Sequence, residues 1–272
     1  MREKRWYKLD NSAKIIPSMT NNLNTNVFRL VCSLKEKVEA DKLAIALKMT
    51  CEEFPMFTCK MKSGLFWHYL ETSSSEPFVE EDHVYPCSKL DGDLLFKVTY
   101  YKNRINLDMY HVLADGNGAL EFLKYLVACY LDLVYGLSHH DKVNTASIYA
   151  RESDDFKKFS KFGKKKVYDK YKSAYKLKFP RKENTVGDVI EVHLSASEIK
   201  RIAHECDCTV TVYLTAVLIR SIVQCAHVVD LKKPIGIIVP IDLRGIFPSQ
   251  TVRNFFYTVN IQYEYREEDT LL

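Results

Sequence analysis

A histidine stands four residues before an Asp-Gly pair in the stretch from Tyr110 to Gly118, which reads YHVLADGNG. An imidazole accepts and returns protons near neutral pH, so His111 is a candidate general base. Asp115 and Gly116 lie in the connection that follows it. The bare H-x-x-x-D-G spacing is also compatible with a histidine that only fills the core and an Asp-Gly pair that only forms a turn.

The residues around this motif predict a strand, a tight loop and a helix. In RINLDMYH, every second residue is apolar, which places His111 on the same face of a strand as Ile105, Leu107 and Met109. After Gly118, apolar residues recur at helical spacing, at positions 120, 123, 127, 131 and 134. The loop between two rigid elements is a common position for a catalytic group.

The rest of the first half predicts strands and helices in layers. TNVFRLVCSL alternates as a strand does, and a helix follows it until Pro55. A hairpin is expected about Ser63-Gly64, and a second one, turning at Asn103, leads to His111. The order of elements predicts an α/β fold with α+β layers.

The second half repeats this order loosely. GDVIEVHLS predicts a strand, and Ser195 with Glu198 forms a capping box at the start of a helix. The long apolar run TVTVYLTAVLIRSIVQCAHV predicts a buried helix. IGIIVPIDLR and NFFYTVNIQYEY predict two further strands.

A basic segment separates the two halves. Between Arg151 and Lys182 there are thirteen Lys or Arg residues and four acidic ones. A solvated connection explains such a run more simply than a phosphate-binding surface does. We therefore predict a first subdomain over 1–150, a linker over 151–186 and a partial second subdomain over 187–272.

Composition excludes several classes of protein. A net charge of +4 and a pI of about 8.5 over 272 residues do not suit a dedicated nucleic-acid binder. The first residues contain no apolar signal core, and no run predicts a membrane span, so a cytoplasmic location is expected. Cys206 and Cys208 near His204 lack a second cysteine pair, so no metal site is expected.

Four stretches, in order, carry a family resemblance: WYKLDNSAKI, GLFWHYLE, YHVLADGNGALEFLKYL and VPIDLRGIFPSQTVRNFF. Together they resemble the bacterial alcohol acetyltransferase family. That family lies in the superfamily of chloramphenicol acetyltransferases and nonribosomal-peptide condensation domains, which share the H-x-x-x-D-G motif. The resemblance covers essentially the whole chain.

The resemblance implies two similar chloramphenicol-acetyltransferase-like subdomains with a tunnel between them. His111 would be the general base in transfer of an acyl group, acetyl above all, from acyl-CoA to a small alcohol or amine. Acyl-CoA would be a co-substrate, with no permanently bound cofactor. Asp115 would be structural, pairing with Arg244 of the IDLR stretch, and Gly116 would allow the tight turn.

The chain departs from its relatives in two respects. Tyr110 stands where many relatives have a second histidine, and no segment like D-F-G-W-G occurs. Relatives also continue past the last residue here, so a C-terminally truncated chain is expected. Two alternatives stay open: a non-catalytic or truncated binding protein, and a condensation-type domain using carrier-protein-bound substrates. A homo-oligomer, or a partner that supplies the missing C-terminal portion, is also left open.

Overall fold

The computed structural model describes residues 5–138, 147–159, 171–177, 189–227 and 230–269. The chain divides into two compact units. Unit 1 consists of Met1–Lys164 and Asp242–Phe256, and unit 2 consists of Lys165–Ile241 and Tyr257–Leu272. Most of the predicted linker, at 160–170 and 178–186, lies outside the described residues, and the predicted subdomain boundaries stay a prediction.

Unit 1 contains two sheets. The first joins three strands in the order β1-β4-β3, and the second joins four in the order β2-β7-β6-β5. The strands of unit 1 are β1 (Trp6–Lys8), β2 (Val27–Ser33), β3 (Cys59–Ser63), β4 (His68–Thr72), β5 (Val79–Glu81), β6 (Phe96–Tyr101) and β7 (Arg104–Tyr110). Both predicted hairpins are confirmed as the antiparallel pairs β3–β4 and β6–β7.

Helices cover the four-stranded sheet. The helices of unit 1 are α1 (Ile16–Met19), α2 (Ala40–Glu53), α3 (Gly116–Tyr135), α4 (Ile148–Glu152) and α5 (Asp155–Phe159). Helices α2 and α3 contact each other and the sheet, and their apolar faces join the core of unit 1. Phe122 of α3 is fully buried and lies 5.2 Å from Phe96 of β6, ring centre to ring centre. The helical spacing predicted after Gly118 is therefore confirmed as a core helix.

The central strand β7 is buried on both faces. Ile105, Leu107 and Met109 are fully buried, and Asn106 and Asp108 on the opposite face are buried as well. Arg29 of β2 stabilises the acidic side chains on that second face, because its guanidinium contacts Asp108 at 2.5 Å and Asp82 at 2.5 Å. A buried charge is tolerated when it is paired and hydrogen-bonded in this way. The strand that leads to His111 is thereby held from both sides.

Unit 2 contains two helices and a two-stranded sheet. Its elements are α6 (Ala196–Glu205), α7 (Val210–Cys225), β8 (Ile235–Asp242) and β9 (Phe256–Tyr263), of which Asp242 and Phe256 themselves belong to unit 1. Ser195 caps α6 by accepting a hydrogen bond from the Glu198 amide, as the capping-box pattern predicts. The structure describes all eight cysteines, and none of them forms a disulfide bond.

Two predictions for unit 2 are wrong. Residues 189–194, predicted as a strand, are not a strand, because no strand among the described residues pairs with them. Helix α7 forms where the apolar run predicts it, but none of its residues is buried. Hydrophobic length alone does not establish a buried position, since burial needs a partner layer.

Among the residues that the structure describes, no single helix has the length and apolar character to cross a membrane. Helices α6 and α7 reach that length and composition only when counted together, and the pair is bent by 84°.

Candidate active site

His111 directly follows β7, and the four contacts below fix its position. Its backbone amide donates to the carbonyl of Asn26 at 2.9 Å. Its ring lies between two aromatic rings, with centroid distances of 5.2 Å to Phe28 and 5.7 Å to Phe256. Its Nδ1 atom lies 3.0 Å from Oδ1 of Asn254. The ring is half-buried, which suits a group that must exchange protons with a bound molecule. The tunnel that the resemblance implies stays a prediction.

Asp115 is the N-cap of α3 and has no capacity left for a substrate. Its Oδ1 accepts from the Gly118 amide at 2.9 Å and from Arg244 Nη2 at 3.1 Å. Its Oδ2 accepts from Arg244 Nη1 at 2.9 Å and from the Phe255 amide at 2.8 Å. The ion pair that the resemblance implies is therefore present. A carboxylate with four donors is committed to bracing the loop.

Arg244 is equally saturated. Its Nε donates to the carbonyl of Thr251 at 2.9 Å, and Nη2 donates to the carbonyl of Arg253 at 2.7 Å. Nη1 also reaches Oδ1 of Asp242 at 2.8 Å. Together with the two bonds to Asp115, these contacts use all five N–H groups of the guanidinium. Burial lowers the pKa of Arg244, but the Asp115 and Asp242 carboxylates outweigh burial and the pKa is raised.

The glycine with a steric role in the loop is Gly118 and not Gly116. A Cβ atom added at Gly116 would meet nothing within 4 Å, and the residue has no positive φ. A Cβ atom added at Gly118 would lie 1.8 Å from the carbonyl oxygen of Val252, which is inside any permitted contact. The need for a glycine, which the resemblance placed at Gly116, is therefore found at Gly118. There the first turn of α3 touches the segment before Asn254.

Asn254 is a residue of the site that the sequence did not single out. Besides its contact with the His111 ring, its Nδ2 donates to Oδ2 of Asp10 at 3.2 Å and to the carbonyl of His111 at 3.1 Å. Asn254 and Asp10 are both buried. The signal that could have found it is its place in the RNFF stretch, which also carries the family resemblance.

Tyr110, the residue before His111, hydrogen-bonds to Thr20. Its hydroxyl lies 2.9 Å from the Thr20 hydroxyl, and Thr20 also accepts from the side-chain amide of Asn26. Burial raises the pKa of Tyr110, and the hydrogen bond with Thr20 partly offsets that rise. Over the described ranges, no three His, Cys, Asp or Glu side chains are grouped as metal ligands would be.

Comparison with solved structures identifies the fold. Polyketide synthase associated protein 5 from Mycobacterium tuberculosis matches with a TM-score of 0.62 and 15% identity, over 97% of this chain and 69% of that chain. F. graminearum TRI101 complexed with ethyl coenzyme A matches with a TM-score of 0.56 and 11% identity, over 99% and 72%. The first condensation domain of the calcium-dependent antibiotic synthetase, in complex with a substrate analogue, matches with a TM-score of 0.63 and 11% identity, over 98% and 70%.

These matches confirm the predicted fold class, a mixed α/β fold that the chain shares with a condensation domain. At 11–15% identity they establish the fold alone. Neither a protein-family model nor a curated protein sequence matches the chain.

Proposed function

We propose that the protein transfers an acyl group from a thioester, acyl-CoA in the first instance, to a small alcohol or amine. The observation that carries this proposal is that the residues of the motif have different contacts and therefore different roles. Asp115 and Arg244 satisfy each other and hold the loop, while the half-buried His111 ring keeps one nitrogen free of the protein contacts described above. The fold is shared with TRI101, whose structure contains ethyl coenzyme A, and this supports a CoA-type donor.

The chemistry that His111 would perform is a proton relay. The free ring nitrogen takes the proton from the acceptor hydroxyl or amine as its oxygen or nitrogen bonds to the thioester carbonyl carbon. The tetrahedral intermediate then collapses, the carbon–sulfur bond breaks, and the imidazolium returns the proton to the departing thiolate. No covalent acyl-enzyme is needed, so no serine or cysteine nucleophile is required.

A second donor class deserves the same assay, because condensation domains share the fold. Such a donor is an acyl group on the phosphopantetheine arm of a carrier protein. Its thioester end is the same as that of acyl-CoA, so the role of His111 does not change. The nucleotide part of CoA separates the two cases. A preference for acetyl-CoA over acetyl-pantetheine would favour the CoA donor, and equal use of both would favour a carrier protein.

The test is thiol release from acetyl-CoA with a panel of short alcohols and amines. We expect His111→Ala to lower turnover by about 10²–10⁴-fold, the usual contribution of general base catalysis. His83→Ala is the matched control, because His83 is exposed and remote from the motif in sequence. An Ala variant at 111 that folds and turns over at the wild-type rate would refute the proposal.

A further inference from the structure

The hydrogen bond between His111 and Asn254 can be made in two ways. A neutral imidazole carries its proton on one nitrogen only, and the other nitrogen accepts. Nδ1 of His111 either donates to an amide oxygen or accepts from an amide nitrogen, depending on which end of the Asn254 side chain faces it. Only the first arrangement leaves Nε2 unprotonated. The orientation of Asn254 therefore decides which tautomer His111 adopts.

Two acceptors settle the orientation of the Asn254 amide. The end of the side chain that faces away from the ring lies 3.1 Å from the carbonyl oxygen of His111 and 3.2 Å from Oδ2 of Asp10. A backbone carbonyl is an acceptor at every pH, and an ionised carboxylate is one too. The NH₂ group must occupy that end, because an oxygen there would face two other oxygens. The amide oxygen is then left for Nδ1.

Asp10 anchors this arrangement from the N-terminal segment. Its Oδ1 accepts from the Ala13 amide at 2.8 Å, and its Oδ2 lies 3.8 Å from Nε of Arg253. Burial raises the pKa of Asp10, and the Ala13 amide, Arg253 and Asn254 counteract that rise, while Asp154 adds to it. The side chains of Asp10 and Asn254 are thus both held by contacts that do not involve the ring.

We infer that Asn254, held by Asp10, is a positioning residue that fixes His111 in the Nδ1–H tautomer and so leaves Nε2 as the proton acceptor. The catalytic consequence rests on the proposed function, but the tautomer does not. A free asparagine would let the ring and the amide turn together, and both tautomers would be populated. The three-residue chain removes that freedom before any substrate binds.

The direct test is ¹⁵N NMR of the imidazole nitrogens in the full chain, with His111 assigned by its loss in His111→Ala. In the wild type we expect a protonated Nδ1 and an unprotonated Nε2. Asn254→Ala removes the acceptor, and a mixture of tautomers is expected. Asn254→Asp keeps an oxygen facing Nδ1, so the wild-type tautomer should return even if the variant is less stable. A wild-type ring protonated on Nε2 overturns the inference without any variant.

Asn103→Ala is the matched control. Asn103 precedes β7, whereas His111 follows it, and its side chain donates to the carbonyl of Leu34 at 2.6 Å. The variant loses an amide hydrogen bond at the opposite end of the same strand. Its His111 signals should be those of the wild type. A tautomer mixture in both variants would show that general loosening of the strand, and not Asn254, controls the ring.

Turnover separates this inference from the proposed function. If both hold, Asn254→Ala lowers kcat at least tenfold and up to about 10⁴-fold, the loss seen when a catalytic histidine is held in the wrong tautomer. KM for acetyl-CoA should change little, and Asn254→Asp should recover part of kcat. A tautomer shift without any wild-type turnover would keep the positioning role and refute acyl transfer. Normal turnover and an unchanged tautomer in Asn254→Ala would refute the positioning role alone.

Discussion

Units 1 and 2 both contain strands and helices, but they differ greatly in how many apolar residues they bury. The hydrophobic core of unit 1 draws on both sheets and on helices α1, α2 and α3. The buried apolar residues that the structure describes in unit 2 are few: Ala203, Leu231, Pro234 and Ile235. Apolar residues of α7 such as Leu214 and Leu218 remain exposed. The same element types therefore yield a packed core in one unit and open apolar surface in the other.

This difference in burial indicates which unit can hold the side chains of a site in fixed positions. The contacts of the His111 loop described above are made within unit 1, and Arg244 and Asn254 come from its Asp242–Phe256 segment. A catalytic group needs neighbours whose own positions are locked by packing. Unit 1 provides that rigidity, so the variants below compare matched positions in the two units.

The largest effect is expected at the Asp115–Arg244 pair. Arg244→Ala leaves a buried carboxylate without its cation, which should lower the free energy of unfolding by about 3–5 kcal/mol. Asp115→Asn should act in the same direction, and the double variant should be no worse than the worse single one, because both remove one interaction. The measurement is urea denaturation. In unit 2, Glu198→Gln disrupts an exposed pair with Arg201 and should leave the midpoint unchanged. Equal losses in both units would break the comparison.

Next in size is the contrast between two apolar helices. Leu126 of α3 is 0% exposed, and Leu126→Ala should lower the free energy of unfolding by about 2–5 kcal/mol. Leu218 of α7 is 49% exposed, and Leu218→Ala should change it by less than about 1 kcal/mol. Calorimetric or denaturant unfolding of the two variants measures both. A loss at Leu218 as large as that at Leu126 would mean that α7 is packed in solution.

A smaller effect is expected at the glycines. Gly118→Ala forces a Cβ atom against the Val252 carbonyl, and the resulting shift should reduce stability by about 1–3 kcal/mol. Gly116→Ala meets no neighbour and should be neutral or stabilising by about 0.4–1 kcal/mol. Gly236→Ala is the unit 2 counterpart, where the nearest atom is the Cβ of Ala174 at 3.1 Å. Thermal unfolding ranks the three, and a harmless Gly118→Ala would contradict the close approach.

The smallest effect is a dependence on pH. Burial raises the folded-state pKa of Asp10 above its ordinary value of 3.8, so the folded protein holds that proton more tightly than the unfolded chain does. Stability from this group is present below pH 3.8 and is lost as pH rises through the folded pKa. Asp10→Asn should remove that decline from the urea midpoint.

The control for this pH effect lies in unit 2. A hydrogen bond from Lys172 lowers the pKa of Glu264, so its contribution is lost as pH falls and not as it rises. Glu264→Gln should therefore leave the decline above pH 3.8 in place. If the midpoint of Asp10→Asn changed with pH just as that of the wild type does, Asp10 would not be held as the structure describes.

Local patterns in the sequence were sufficient to predict several individual elements. Alternation predicted β7 and both hairpins, and helical spacing predicted α3. The capping box at Ser195 marked the start of α6. In β7 and α3 the period of the apolar residues matches the geometry of the element, so each could be predicted without knowing what it packs against.

Other features depended on distant residues and could not be read from local patterns. Residues 189–194 alternate as a strand does, yet a strand exists only where another strand pairs with it. The partner of Asp115 lies 129 residues away and was indicated only by family resemblance. Gly118 and Asn254 act through Val252 and His111, and no spacing rule connects such positions.

The separation of Asp115 from its partner also has a consequence in time. A ribosome adds about 5–20 residues per second, so the 129 residues between Asp115 and Arg244 take roughly 6 to 26 s to synthesise. During that interval β7 and α3 can already form, since the elements they pack against, β2, β6 and α2, come earlier in the chain. The Asp115 carboxylate then has no Arg244 guanidinium beside it, and the His111 ring has no Asn254 side chain to contact. The nascent chain therefore has a waiting period in which the His111 loop is present but not yet braced.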